Sequence, residues 1–129
     1  MKLKKINASN FEEFYSYLQQ DFCFEERKSK ENEFKTLKNK SFNPNFIYLE
    51  KELIGYICFW EFENFVYIEH FAIKKEKRDK GLGTEFLKDF LTKQSKTVIV
   101  EIEQPIDETK IRRFNFYKNL KFYINNFSW

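Results

Sequence analysis

The chain has 129 residues, 42% of them hydrophobic and 33% charged, which suits one packed domain with a solvated surface. Two cysteines and a single histidine exclude a Cys/His zinc cluster, so no metal is expected, and at most one disulfide is allowed in a chain expected in the reducing cytoplasm. The formal charge of +3 is small for a nucleic-acid partner, and Lys or Glu interrupts every apolar run, so neither nucleic acid nor a membrane is expected as a partner.

Met1 to Ile6 carries charge with no apolar run behind it, so it does not read as a signal peptide. Leu3 to Ile6 reads as a short strand. Ser9 and Glu12 have the spacing of a capping box, and Phe11, Phe14, Tyr15, Leu18 and Phe22 follow at helical spacing to give one buried stripe. A second, more polar helix is predicted over Glu25 to Leu37, and Ser41 to Asn45, with Pro44, reads as a loop. The period then changes. Phe46 to Leu49, Ile54 to Phe62 and Phe65 to Ile73 read as a three-strand meander joined by turns at Glu50–Glu52 and Glu63–Asn64. A helix is predicted from Gly81 to about Lys93, a β-branched strand over Thr97 to Ile102, a helix capped by Asp107 running to about Asn119, and a last strand over Phe122 to Phe127. This order predicts an α/β sheet with helices on its faces and no second domain.

Two of the three glycines, Gly81 and Gly83, fall at a strand-loop-helix junction that also carries Lys77, Arg78 and Lys80. Glycine permits close backbone approach, and the free amides and dipole of a helix start favour an anion, so the junction suits a pyrophosphate. The bland alternative is an ordinary helix start with solvated lysines. The dinucleotide fingerprint is excluded because Phe86 stands where its third small residue belongs, and no Gly-Lys-Ser/Thr of a P-loop follows.

The segment Arg78-x-x-Gly81-x-Gly83, behind a strand ending Phe71-Ala72-Ile73, resembles the acyl-CoA-binding motif of the GNAT superfamily. Arg113 to Phe122 is similar to that superfamily's later motif, a helix bearing Tyr followed by Gly-Phe, although Lys121 replaces the glycine and predicts a differently shaped last turn. Glu69-His70-Phe71-Ala72-Ile73 and Glu101-Ile102-Glu103-Gln104-Pro105 are similar to segments of small bacterial members, and Phe22 to Arg27 faintly resembles another. The resemblance implies a central mixed, mostly antiparallel sheet flanked by helices. Only one strand fits after Leu120, so a shortened C-terminus is expected, with an open acceptor side or a second copy supplying the missing edge as a homodimer.

The resemblance further implies that acetyl-CoA is the co-substrate and that an amine, on a small molecule or a peptide, is the acceptor. It assigns acyl-CoA binding to Phe71, Ala72 and Ile73 and to Arg78, Asp79, Lys80, Gly81, Leu82, Gly83 and Thr84, with the Phe71 and Ile73 amides on the pantetheine arm. It makes Tyr117 the acid that protonates the leaving sulfur, where the bland alternative is a core aromatic. A carboxylate must accept the amine proton. Alternation puts Glu69 on one strand face with Tyr67 and Phe71, and Glu101 on one face with Glu103. Either of Glu69 and Glu101 fits the role, the bland alternative for each being an ordinary exposed strand glutamate, and aromatic surroundings predict a raised pKa. Parity puts His70 on the face opposite Glu69, which fits a structural histidine. Two other readings stay open: a non-catalytic acyl-CoA-binding module on the same fold, and a basic nucleic-acid-binding domain using the Lys74 to Lys80 cations.

Overall fold

The computed structural model describes residues 1–102 and 105–123. Five strands form one sheet in chain order: β1 (Lys2–Lys5), β2 (Phe42–Leu49), β3 (Glu52–Glu61), β4 (Phe65–Ile73) and β5 (Thr97–Val100). The first four pair antiparallel, and β5 pairs parallel to β4 after a helical crossover, so the sheet is mixed and mostly antiparallel as expected. The predicted last strand and Glu103 lie outside the described residues.

Helices α1 (Phe11–Asp21) and α2 (Lys30–Thr36) cover one face, and α3 (Leu82–Thr92) and α4 (Glu108–Asn119) cover the other. The predicted α1 stripe is the buried face: Phe11, Phe14, Tyr15 and Leu18 pack on Phe42, Phe46, Tyr56 and Cys58. Opposite, Phe86, Leu87, Phe90 and Tyr117 pack on Ile47, Ile57, Val66 and Ile68.

Four local expectations are corrected. The Ser9 capping box does not form: Asn10 is the N-cap residue without a side-chain cap, and Asn7 and Asn10 instead close short side-chain turns with Ser9 and with each other. The predicted second helix is broken into a 3-10 turn at Phe24–Glu26 and α2, because Ser29 caps α2 by accepting from the Asn32 amide. Pro44 lies in β2 rather than in a loop. It sits one residue past the last β1 pair, Lys5 with Asn45, so its missing N–H costs no ladder bond there, and its carbonyl accepts from Ile6. Lys121 takes the left-handed conformation of a glycine (φ 68°), so the last turn of α4 keeps the shape expected of the motif.

Candidate active site

The pairing of β4 with β5 stops at Ile68 with Val100, while β4 runs on to Ile73 with only β3 beside it among the described residues. Lys74 donates its amide to the Ile54 carbonyl of β3. Main-chain groups alternate in direction along a strand, so those of Ile73 and Phe71 face the open edge. The Ile73 carbonyl there accepts from Arg78 Nε at 2.8 Å.

A β-bulge marks the parting. Cys58 pairs with His70 and the adjacent Phe59 pairs with Ile68, leaving Glu69 as the extra residue of β4. The bulge reverses the side-chain alternation and corrects the sequence reading of this strand. Phe71 stacks with Phe86 and Phe116 on the α3/α4 face. Glu69 reaches Lys28 and Trp60 on the α1/α2 face, and His70 lies on that face too, its ring 4.5 Å from Phe22. Tyr67, paired with Trp60, shares the face with Glu69, whereas Phe71 does not.

Past Ile73 the chain makes a 3-10 turn at Lys75–Lys77 and enters α3 through left-handed residues at Asp79 (φ 63°) and Gly81 (φ 77°). Gly81 followed by helical Leu82 turns successive N–H groups into one concavity, and nothing lies within 4 Å of where a Gly81 Cβ would be. The open mouth at a helix start fits a pyrophosphate. Gly83 lies inside α3 without a positive φ, and a Cβ there would meet Ile73 Cγ1 at 3.4 Å and Phe116 at 3.7 Å, ordinary contact distances. The expected cations are also partly engaged. Lys77 pairs with Glu52, and the Arg78 guanidinium bridges the Ile73 carbonyl and Asp21 at 2.8 Å each, tying the cradle to the end of α1. Lys80 is exposed.

Tyr117 of α4 is buried between Phe116 and Phe122. Burial pushes its hydroxyl pKa up to about 12 against the opposing charge of Arg113, so it holds its proton at neutral pH. Across the parting, Arg113 reaches Glu26 at 3.3 Å and lies over the Phe22 ring, joining α4 to the turn after α1.

Glu69 accepts from Lys28 Nζ at 2.8 Å and from Trp60 Nε1 at 3.1 Å. Burial alone would raise its pKa, but these donors and the Lys28 charge outweigh burial and hold the carboxyl below the usual range, contrary to the sequence expectation. Val98 and Val100 of β5, and Ile102 just past its end, pack toward α3 and α4, so Glu101 between them falls on the Glu69 face. Burial, then the Glu101 charge, then the Glu69 charge, raise the Tyr67 hydroxyl pKa, which fits a tyrosine between two carboxylates.

The acetyltransferase (GNAT) profile matches residues 8–122. The chain belongs to the GNAT family. A GNAT-family structure from Bacteroides thetaiotaomicron superposes with a TM-score of 0.83 at 27% identity, covering 93% of this chain and 70% of that one. The Bacillus subtilis protein YjbC, which is named as an acetyltransferase, is 29% identical over 112 residues, 84% of this chain, and the chain spans 56% of YjbC. An Arabidopsis thaliana structure in complex with the bisubstrate analogue CoA-Ac-MVNAL shares the fold, with a TM-score of 0.71 at 16% identity over 97% of this chain and 84% of that one.

Within this GNAT chain, sequence reading missed Lys28 and Glu33, which pack beside Glu69. Glu33 of α2 is 0% exposed, 3.7 Å from Lys28 Nζ, and neither of its oxygens has a hydrogen-bond partner among the described residues. Burial and the Glu69 charge raise its pKa, while Lys28 opposes them. The only signal was a glutamate in a polar helix, which alone says nothing of burial. His70 is buried with Nδ1 unpartnered among the described residues, and burial pushes its pKa down to about 4, which suits a neutral packed ring. Among the described residues no His, Cys, Asp and Glu group could hold a metal ion, and no helix is long and apolar enough to cross a membrane.

Proposed function

We propose that this GNAT chain moves an acetyl group from acetyl-CoA to a primary amine by direct attack in a ternary complex. The observation that carries the reading is the edge of β4 left unpaired among the described residues, with the Phe71 and Ile73 amides facing it, next to the open helix start at Gly81. The amides of Lys80 to Thr84 hold the pyrophosphate, and the β4 edge holds the pantetheine arm. Bound acetyl-CoA supplies an activated acyl carbon and a thiolate leaving group.

The residues divide the remaining work. Tyr117, still protonated at neutral pH, donates a proton to the departing sulfur. Glu69, kept anionic by Lys28 and Trp60, attracts the cationic acceptor, while the more exposed Glu101 takes the amine proton directly or through one water. Calorimetry with acetyl-CoA, followed by CoA release across a panel of amines, tests the reading. Heat and thermal stabilisation on acetyl-CoA addition are expected. No binding at millimolar acetyl-CoA would overturn the reading, and binding with no transfer to any amine would leave the acyl-CoA-binding module in its place.

A further inference from the structure

The Lys28 ammonium sits in a four-walled cage on the α1/α2 face. Glu69 Oε2 is 2.8 Å away and Glu33 Oε2 is 3.7 Å away. The Trp60 and Phe42 rings present their faces at 5.8 and 5.9 Å from Nζ. Two carboxylates and two aromatic faces are the features that select an ammonium ion. Lys28 satisfies the cage unevenly: the fully buried Glu33 carboxyl meets it only as a 3.7 Å ion pair, with no hydrogen bond in range among the described residues. A buried acceptor without a donor is costly, so a single tethered lysine is an incomplete occupant. The cage also has a way in. Lys28 is 32% exposed, and with Trp60, Asn32 and Asn39 it lines an open surface depression of about 540 Å³. Its Glu69 wall is the bulge residue at which β4 leaves β5.

We propose that this cage is a primary-ammonium site on the acceptor side of the sheet, with Lys28 as its tethered occupant, and that an amine acceptor competes with Lys28 for Glu69 and Glu33. The inference rests on the reading of Glu69 as an acceptor-side carboxylate. It names the acceptor class as a primary alkylamine, protonated on arrival. In the transfer step the amine, after its proton passes to a carboxylate, forms the C–N bond with the acetyl carbon. The C–S bond breaks, the sulfur takes the Tyr117 proton, and the second proton that the nitrogen sheds on becoming the amide returns to Tyr117 through water.

Lys28→Ala deletes a propylamine-sized fragment, so n-propylamine is the probe. The variant should melt below the parent. n-Propylamine should raise its melting temperature in a saturable way, and n-propanol or sodium chloride at equal concentration should not. If the variant does not fold alone, the recovery of folded protein on refolding is read instead, with the same contrast. Glu69→Gln added to Lys28→Ala should remove the rescue. With acetyl-CoA present, Lys28→Ala should also form N-propylacetamide faster than the parent does. Equal effects of n-propylamine and n-propanol would overturn the cage. Rescue without faster N-propylacetamide formation would overturn its acceptor role. Acetyl-CoA binding measured on the same samples separates these failures from failure of the acetyltransferase reading, which alone predicts that binding.

Discussion

The Phe122 amide donates to the Tyr117 carbonyl at 3.2 Å, and the two rings meet edge to face with centroids 5.4 Å apart. With the Lys121 amide on the Lys118 carbonyl at 3.0 Å, this forms a Schellman ending that fixes the candidate acid at the end of α4. Lys121 takes φ 68° to close it, which costs a side-chain-bearing residue about 1–2 kcal/mol, while glycine pays part of that back in unfolded-state entropy. Lys121→Gly should therefore stabilise the chain by roughly 0.5–1 kcal/mol. Urea unfolding measures this, and a loss of stability would argue against the left-handed ending.

The two cradle glycines should separate by experiment. Gly81→Ala forces a Cβ into φ 77° and should destabilise by about 1 kcal/mol while weakening acetyl-CoA binding. Gly83→Ala places its Cβ at ordinary contact distance inside a helix, so stability should hold or rise slightly. Gly83→Val, pressed on Ile73 and Phe116, should lose roughly 1–3 kcal/mol by overpacking. Thermal melts with and without acetyl-CoA check all three. Equal losses for Gly81→Ala and Gly83→Ala would contradict the distinction.

Tyr117→Phe keeps the ring packing against Phe116 and Phe122 and removes only the hydroxyl. Turnover should fall on the order of 10²-fold, with acetyl-CoA affinity nearly unchanged. Because burial holds the hydroxyl pKa near 12, the parent should show no loss of this acid between about pH 6 and pH 9. An unchanged rate where chemistry limits turnover would return Tyr117 to the core.

The meander, α3 and α4 were legible because period and capping agree there: Asp107 does accept from the Lys110 amide, and Phe86, Leu87 and Phe90, at helical spacing, form the buried face of α3. The strand-loop-helix junction was legible from its glycines, but their separate conformations were not, since Gly-x-Gly does not say which residue is left-handed. Strict alternation failed at Glu69 because one inserted residue, unmarked by glycine or proline, shifts every later side chain to the other face. The Lys28–Glu69 pair joins residues 41 positions apart, and only the docking of α2 on the sheet brings Glu33 to it. Neither contact leaves a local pattern.

That docking also makes stability depend on pH in a definite direction. Burial, then the Glu69 charge, raise the Glu33 pKa despite Lys28, so the folded state favours the protonated carboxyl. A raised folded pKa contributes stability that is fully present below the unfolded carboxyl pKa and lost as pH rises through the folded value. Glu33→Gln removes the titration while keeping size and leaves the Lys28–Glu69 pair intact. The variant should gain stability relative to the parent on going from about pH 4 to about pH 8, by on the order of 1 kcal/mol. Glu69→Gln should behave oppositely. Its parent carboxyl is held below the usual range, so its contribution is present above that range and lost as pH falls through the folded value. The cost of Glu69→Gln should thus be larger near pH 8 than near pH 3. Urea unfolding of both variants across this range decides the matter. A Glu33→Gln difference that stays constant with pH would mean that the Glu33 carboxylate is as comfortable folded as unfolded, and the buried acid would then have a partner that satisfies it.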